Sequence, residues 1–515
     1  MSSRVRTNTK RLFWLALVIF CGWFSGFRFS VLAAHGGEFF TILKKMFPPD
    51  WSYAASVLSP LWQTVQMSLA GTFLGAVLAL PVAAVCSAAV TARPKRAAVL
   101  RAVVNVLRSI PVLILALAAS FLFGVGTLAG TAAICVYSFG ILSRITWEEM
   151  DHADLRPLET LAASGCGRAR VFCRTVLVQV FPGFQANVLY VLESNVRHAA
   201  ILGYVGAGGL GILLNEKIAW REYARVGTIL LLLYAVVLLI EGLSTRCRAV
   251  LLGVKTGSRA ERRCVVALLA ALTMLSFAGL STQGVTRAGL AVFGGILRGL
   301  FMPDLSLLCS LAPTGVPYLL LETVCMAVTG TVIGALISVP LAFLGCRRIC
   351  GAGSAALMKL LSAAVRTMPA VIYGLLFLRV TGPGAFAGLM TFAALSIGMC
   401  TKLFIGALDN LDYHVIDALS ATGCSRLAVL RHGVWPMVKA QFLSDGFYRF
   451  DVNLRDAAVM GLVGAGGVGA PLIFAMNNYN WSAAGAYMLG LMIVVLLADW
   501  VSSHVRTNAL HSISG

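Results

Sequence analysis

The chain has 515 residues, of which 59% are hydrophobic and only 12% charged, with a formal net charge of +20. Soluble domains carry roughly 25% charged residues, so this composition excludes an ordinary water-soluble fold. Apolar stretches of about 18 residues or more, enough to cross a ~30 Å hydrocarbon core, recur along the whole length, and lipid is the expected solvent.

The positive charge does not form a nucleic-acid surface. It falls in short clusters between apolar runs: Arg4, Arg6, Lys10 and Arg11; Arg93, Lys95 and Arg96; Arg259, Arg262 and Arg263; Arg347 and Arg348. That is the pattern of basic loops retained in the cytoplasm, and no aromatic residues interleave to stack bases. The 13 cysteines are scattered, mostly in apolar segments, and none forms a C-x-x-C pair. They read as small buried hydrophobes rather than metal ligands or disulfides.

In chain order, the first apolar run, Leu12 to Phe27, follows four basic residues and lacks a small-residue cleavage site. It is read as an uncleaved anchor helix. Spans are predicted near 12–30, 61–90, 102–123, 126–143, 180–213 and 226–244. A second set is predicted near 264–283, 317–345, 360–380, 384–403, 436–474 and 484–503. With a cytoplasmic N-terminus, the basic clusters, the loops 144–176 and 402–434 and the C-terminal tail with Arg506 all fall inside. The loops 31–60, 214–225 and 284–316 fall outside, where charge is closer to balance.

The two sets are copies. The stretch TVQMSLAGTFLGAVLALP at 64–81 matches TVCMAVTGTVIGALISVP at 323–340, and LRSIP at 107–111 matches VRTMP at 365–369. YVLESNVRHAAILGYVGAGGLG at 190–211 and YRFDVNLRDAAVMGLVGAGGVG at 448–469 share 12 of 22 positions at an offset of 258. The expected fold is therefore an all-α polytopic membrane protein of about twelve transmembrane helices in two parallel tandem repeats, 1–257 and 258–515. The first repeat opens with the anchor helix and the second with a leading helix. The interface between repeats is the expected place for a pathway.

Each repeat carries a long cytoplasmic loop of one pattern: ETLAASGCGRARVF from Glu159 and DALSATGCSRLAVL from Asp417. An acidic residue, small residues and then Gly165 or Gly423 predict two short helices joined where the backbone needs a residue without a Cβ. Repetition of the pattern favours docking to a partner over a featureless solvated loop. In the closing segment, Glu193 and Arg197, like Asp451 and Arg455, lie four residues apart on an apolar helix, with Asn195 and Asn453 close by. Charges inside a span usually face a partner or a wet cavity. One reading places Glu193, Asn195, Arg197, Asp451, Asn453 and Arg455 along a central translocation pathway, with a pair of guanidinium groups suited to an oxyanion; the other is an intrahelical ion pair that only orients the helix.

The runs Gly206, Gly208, Gly209 to Gly211 and Gly464, Gly466, Gly467 to Gly469 spell G-x-G-x-x-G. They lack the strand and acidic ribose ligand of a dinucleotide fold. A broken helix end forming part of an outer gate and close helix packing through small residues both fit. No Walker loop, H-E-x-x-H, G-x-S-x-G or metal-spaced histidine cluster occurs. No catalytic or metal-binding residue is expected. The repeats also differ: Arg449 stands where the first has Val191, so substrate contacts are expected to be lopsided.

These loops resemble the EAA loop of binding-protein-dependent ABC importer permeases, and the Arg/Asn/Gly segment resembles the signature of the phosphonate (phosphite) branch. FPPDW at 47–51 and GILSRI at 140–145 are similar to that branch too. The resemblance covers nearly all of both repeats, and the second is nearer the pattern. It implies an ABC importer permease (MetI-like) fold in which two usually separate units are fused. It further implies a coupling loop at Glu159, Ala163, Gly165, Asp417, Ala421 and Gly423 for a cytosolic ATPase, in two copies, that carries the ATP and Mg²⁺. An extracytoplasmic binding protein would deliver a phosphonate-like oxyanion across a bacterial inner membrane. Alternatives are an ABC permease for another small solute and an ion-gradient-driven carrier.

Overall fold

The computed structural model describes residues 2–88, 91, 94–252, 259–281, 284–285 and 287–514, and these residues are mostly helical with no strand among them. Arg93 and linker residues 253–258 lie outside the described residues. So do the side chains of Arg4, Arg6, Lys10, Arg11, Glu159, Arg259, Arg262 and Arg506.

The first repeat runs α1 (Ser2–Phe24), α2 (Phe29–Lys45), α3 (Ala54–Cys86), α4 (Pro94–Ser109), α5 (Val112–Phe123) and α6 (Thr127–Asp151). It continues with α7 (Arg156–Ala163), α8 (Arg168–Arg174), α9 (Val176–Leu202), α10 (Leu210–Ala219) and α11 (Tyr223–Leu251). The second begins with α12 (Arg259–Ala278), α13 (Arg287–Phe301), α14 (Leu305–Cys309), α15 (Val316–Gly345), α16 (Arg347–Cys350), α17 (Ala352–Thr367) and α18 (Ala370–Thr381). It ends with α19 (Ala385–Asp409), α20 (His414–Ala421), α21 (Arg426–Val429), α22 (Trp435–Met460), α23 (Gly469–Asn477) and α24 (Trp481–Ser514).

Among the described residues seven helices are long and apolar enough to cross a membrane, or up to ten if each bent pair is one span, against the twelve predicted. The shortfall has local causes. The stretches 102–123 and 360–380, predicted as single spans, are each broken: α4 and α5 meet at 86°, α17 and α18 at 85°. The breaks fall at Pro111 and Pro369, which lack an N–H to donate and push the preceding residue out of the helical region. Each proline is extended, and its carbonyl accepts from the residue three along, Ile114 (3.0 Å) or Ile372 (3.0 Å). The long predicted spans 180–213 and 436–474 end early, at Leu202 and Met460, turn through a 3₁₀ segment and glycines, and resume as α10 and α23, although the first still counts among the seven as Val176–Val205.

The chain divides into two compact units, Met1–Leu43 with Arg298–Gly515, and Lys44–Leu297. In the first, α1 and α2 lie on the second repeat's helices. Phe24 meets Tyr318 (ring centroids 5.5 Å), Phe27 meets Phe386 (5.5 Å) and Phe39 stacks on Phe377 (5.1 Å). In the other unit, α12 packs on α3 through Phe277 and Phe73. The residues after α12 cap the start of α6, where Ser281 N donates to Thr127 Oγ1 at 2.8 Å and Leu128 N donates to the Ser281 carbonyl at 3.1 Å. The boundary at 257/258 thus marks a repeat in the sequence, whereas packing places each repeat's leading helix with the other repeat's core.

Within each core the closest helix pair is built on small residues. A Cβ on Gly75 would lie 2.7 Å from the Cys135 carbonyl oxygen, and one on Gly71 2.8 Å from that of Thr131. In the second core, Gly330 approaches the Leu389 carbonyl (2.7 Å) and Gly334 that of Ala393 (2.7 Å). Helices in lipid gain no hydrophobic drive to associate, so this G-x-x-x-G contact, at the same place on α3 and α15, supplies van der Waals packing instead. Of the described cysteines, Cys173, Cys309, Cys350 and Cys424 are exposed, whereas others such as Cys86, Cys325 and Cys400 are the small buried hydrophobes expected.

Candidate functional site

The loop residues come first, because their local structure follows most directly from sequence. After α6 the chain forms α7, reverses at Gly165 (φ +78°), and forms α8; after α19 it forms α20, reverses at Gly423 (φ +80°), and forms α21. Both reversals use the left-handed region that glycine enters freely. Among the described residues no atom lies within 4 Å of where a Cβ would stand on either glycine. Ala163, Gly165, Asp417, Ala421 and Gly423 are exposed, while Val171 beneath one loop, and Ile416 and Val429 beneath the other, are buried. Each loop is thus a short helix pair, rooted by apolar residues, that presents its small residues outward.

The Asn residues of α9 and α22 are buried at three-helix junctions. Asn195 Nδ2 donates to Thr72 Oγ1 on α3 and Ser138 Oγ on α6, both at 2.7 Å. Asn453 Nδ2 donates to Thr331 Oγ1 (2.8 Å) and Ser396 Oγ (2.9 Å) on α15 and α19. Both asparagines are fully buried, so this geometry gives them a clamping role. An interhelical hydrogen bond in lipid is worth about 1 kcal/mol. Asn195→Ala and Asn453→Ala should each lower the melting temperature of the detergent-solubilised protein; unchanged melting would show that the clamp contributes nothing.

Two residues to either side of each asparagine, both acid-then-arginine pairs form. Arg197 Nη1 lies 3.3 Å from Glu193 Oε1, and Arg455 pairs with Asp451. Glu193 is also 3.7 Å from Arg248 on α11, a partner the four-residue spacing could not reveal. Buried charges in a span require such compensation. Arg449 is buried on α22, its Nε donating to Ser396 Oγ at 3.4 Å; the first repeat has Val191 there.

The glycine runs are tight turns docked on the core. Gly206, Gly208 and Gly209 have φ of +82°, +78° and +73°, and Gly464, Gly466 and Gly467 have +69°, +77° and +70°. A Cβ on Gly209 would lie 2.7 Å from both Met67 Cε and Thr64 Oγ1; on Gly467 it would lie 2.6 Å from Met326 Cε and 2.7 Å from Thr323 Oγ1. Leu210 N donates to Thr64 Oγ1 (2.9 Å) and Val468 N to Thr323 Oγ1 (3.0 Å). The halves part at Gly467 N, which donates to Glu322 Oε2 at 2.9 Å, where the first repeat has Gln63 in place of the carboxylate.

The family profile described as "Binding-protein-dependent transport system inner membrane component" matches this chain twice, over residues 71–246 and 304–507. The chain belongs to that family. It is a multi-pass membrane permease built as a tandem repeat, a transport subunit rather than an enzyme, and its family implies an ATPase and a substrate-binding protein as partners. The permease is 27% identical over 480 residues to the phosphate-import permease protein PhnE of Mycolicibacterium smegmatis, covering 90% of this chain and 88% of that one. It is 33% identical to the phosphite transport system permease protein PtxC of Stutzerimonas stutzeri, over 44% of this chain and 83% of the relative. Among solved structures, an inward-facing methionine ABC transporter matches 44% of the permease and 99% of its own chain, at 18% identity and a TM-score of 0.33.

Proposed function

We propose that the permease carries a phosphate-like oxyanion, such as phosphate, phosphite or a phosphonate, through an ATP-driven importer in which this one chain supplies both transmembrane halves. The observation that carries the reading is the duplicated loop: two exposed helix pairs of the same design, one per repeat, each turning at a left-handed glycine. Relatives named for phosphate import and phosphite transport support the cargo class.

On this reading two ATPase subunits dock, one on each of Glu159–Phe172 and Asp417–Leu430, and bring the ATP and Mg²⁺; the permease holds no cofactor. Both termini lie in the cytoplasm and the binding protein delivers cargo to the opposite face. The pairs Glu193–Arg197 and Asp451–Arg455 are pathway elements, the clamps at Asn195 and Asn453 hold the helices that carry them, and the glycine turns form part of the outer gate. ATP-driven closure of the ATPases then drives alternating access.

The cargo is tested in proteoliposomes holding the permease, its ATPase and its binding protein. Inorganic phosphate, phosphite or methylphosphonate should stimulate ATP hydrolysis, and the matching labelled anion should accumulate. Stimulation by a cation, an amino acid or a quaternary amine, with none by these anions, would reject the assignment.

A further inference from the structure

We propose that two acid–base pairs at the roots of the coupling loops, Asp151–Arg101 and Asp409–Lys359, are positioning links that carry loop movement into the bent helices α4 and α17. The proposal rests on the reading that the loops dock an ATPase.

Asp151 ends α6 and Asp409 ends α19, each five residues before the first loop helix begins. Asp151 Oδ2 pairs with Arg101 Nη2 of α4 at 2.9 Å; Asp409 Oδ2 pairs with Lys359 Nζ of α17 at 3.1 Å. The four residues occupy equivalent places in the two repeats, although one base is arginine and the other lysine. An isolated surface ion pair usually contributes little. Here, however, the same tie, between the same two helices, recurs with different chemistry.

Each tie is the near end of a rod. Arg108 and Arg366 lie seven residues beyond Arg101 and Lys359, two turns along the same helix face and about 10 Å further on. There they pack over glycines of the helix to which the tie is made. A Cβ on Gly140 of α6 would lie 3.3 Å from Arg108 Cβ, and one on Gly398 of α19 would lie 2.9 Å from Arg366 Cγ. One residue beyond Arg108 and Arg366 the rods end, and the chain bends by 86° or 85°. A rod pinned at two points to the helix that leads into the loop moves with it, and passes that movement to the bend.

The two links are built unequally. Asp151 Oδ1 also accepts from Ser87 Oγ (2.7 Å) and Ala88 N (2.8 Å) at the end of α3. Arg101 Nε donates to the Cys86 carbonyl (2.6 Å), and its guanidinium lies over Trp147. Among the described residues the Asp409 tie is a single contact, more exposed than its counterpart. The second loop is braced instead by Tyr413, whose hydroxyl donates to the Leu408 carbonyl (2.9 Å) and meets Cys346 Sγ (3.3 Å) under Arg348. Loss of Asp151 should therefore cost more than loss of Asp409.

The test is the amount of anion moved per ATP hydrolysed, in proteoliposomes with ATPase and binding protein, for Lys359→Asp, Asp409→Lys and the double swap. Each single reversal should lower that ratio about fivefold or more while the ATPase stays bound as in wild type, and the swap should return it to within about twofold. Asp409→Asn, which keeps shape and removes charge, should lower the ratio in the same direction even if a reversal fails to insert. Unchanged ratios in the single variants, or a swap as impaired as either of them, would overturn the link. Absence of ATPase from the wild-type complex would instead overturn the docking reading and this proposal with it.

Discussion

A permease in which both Gly165 and Gly423 are valine should insert and fold normally yet fail to transport. Valine in the left-handed region costs roughly 1–2 kcal/mol or more per residue, because its branched Cβ crowds the following carbonyl. Among the described residues no atom lies within 4 Å of that Cβ, so the cost stays in the backbone and distorts the turn between the two short helices without spreading to the core. The paired substitution Gly165→Asn and Gly423→Asn supplies a control of comparable size. Asparagine tolerates this conformation, so it should keep most of the transport that valine removes. Equal transport by the valine and wild-type proteins would mean that turn geometry does not matter to coupling.

The second large effect lies inside the cores. Gly75→Leu or Gly334→Leu should remove most folded protein from the membrane, because the new side chain meets backbone rather than a movable side chain. Among the atoms met is a carbonyl oxygen of the facing helix, Cys135 or Ala393, at 2.7 Å, next to the short and immovable Cβ of Ser138 or Ser396. Overpacking a rigid contact costs about 1–3 kcal/mol or more, and forcing α3 from α6 would also pull Thr72 and Ser138 apart around Asn195, breaking both of its bonds. Monodispersity in detergent and resistance to limited proteolysis would report the loss. A Leu variant as monodisperse and as resistant as wild type would show that the two helices are not held by this contact.

Much of this arrangement was legible in the sequence, for identifiable reasons. The tandem repeat announced itself through near-constant spacing, and the loop helices through glycine at one position in both copies. The carboxylate–arginine pairs were legible because residues four apart on a helix must share a face. What escaped were relations between residues distant in sequence. Asn195 was singled out, but its partners Thr72 and Ser138 stand 123 and 57 positions away, and threonine and serine in an apolar run carry no signal of what they meet. The tie of Arg101 to Asp151 spans 50 positions and hides among ordinary basic-cluster residues. The bends at Pro111 and Pro369 were missed because hydropathy measures apolar content and is blind to direction, though the proline in LRSIP and VRTMP was on view in both copies. The grouping of α1 with the second core and α12 with the first has no local mark at all. It depends on which surface each apolar helix covers, and many surfaces would suit it.

The most direct test is to solubilise the tagged permease gently from its native membrane and measure which nucleotide-binding ATPase co-purifies and in what ratio. Two ATPase subunits per permease chain, lost when Gly165 and Gly423 are both valine, is the predicted result. A folded permease that retains no ATPase, or that keeps the same two subunits after both turns are disrupted, would contradict the assignment of these loops as the coupling site.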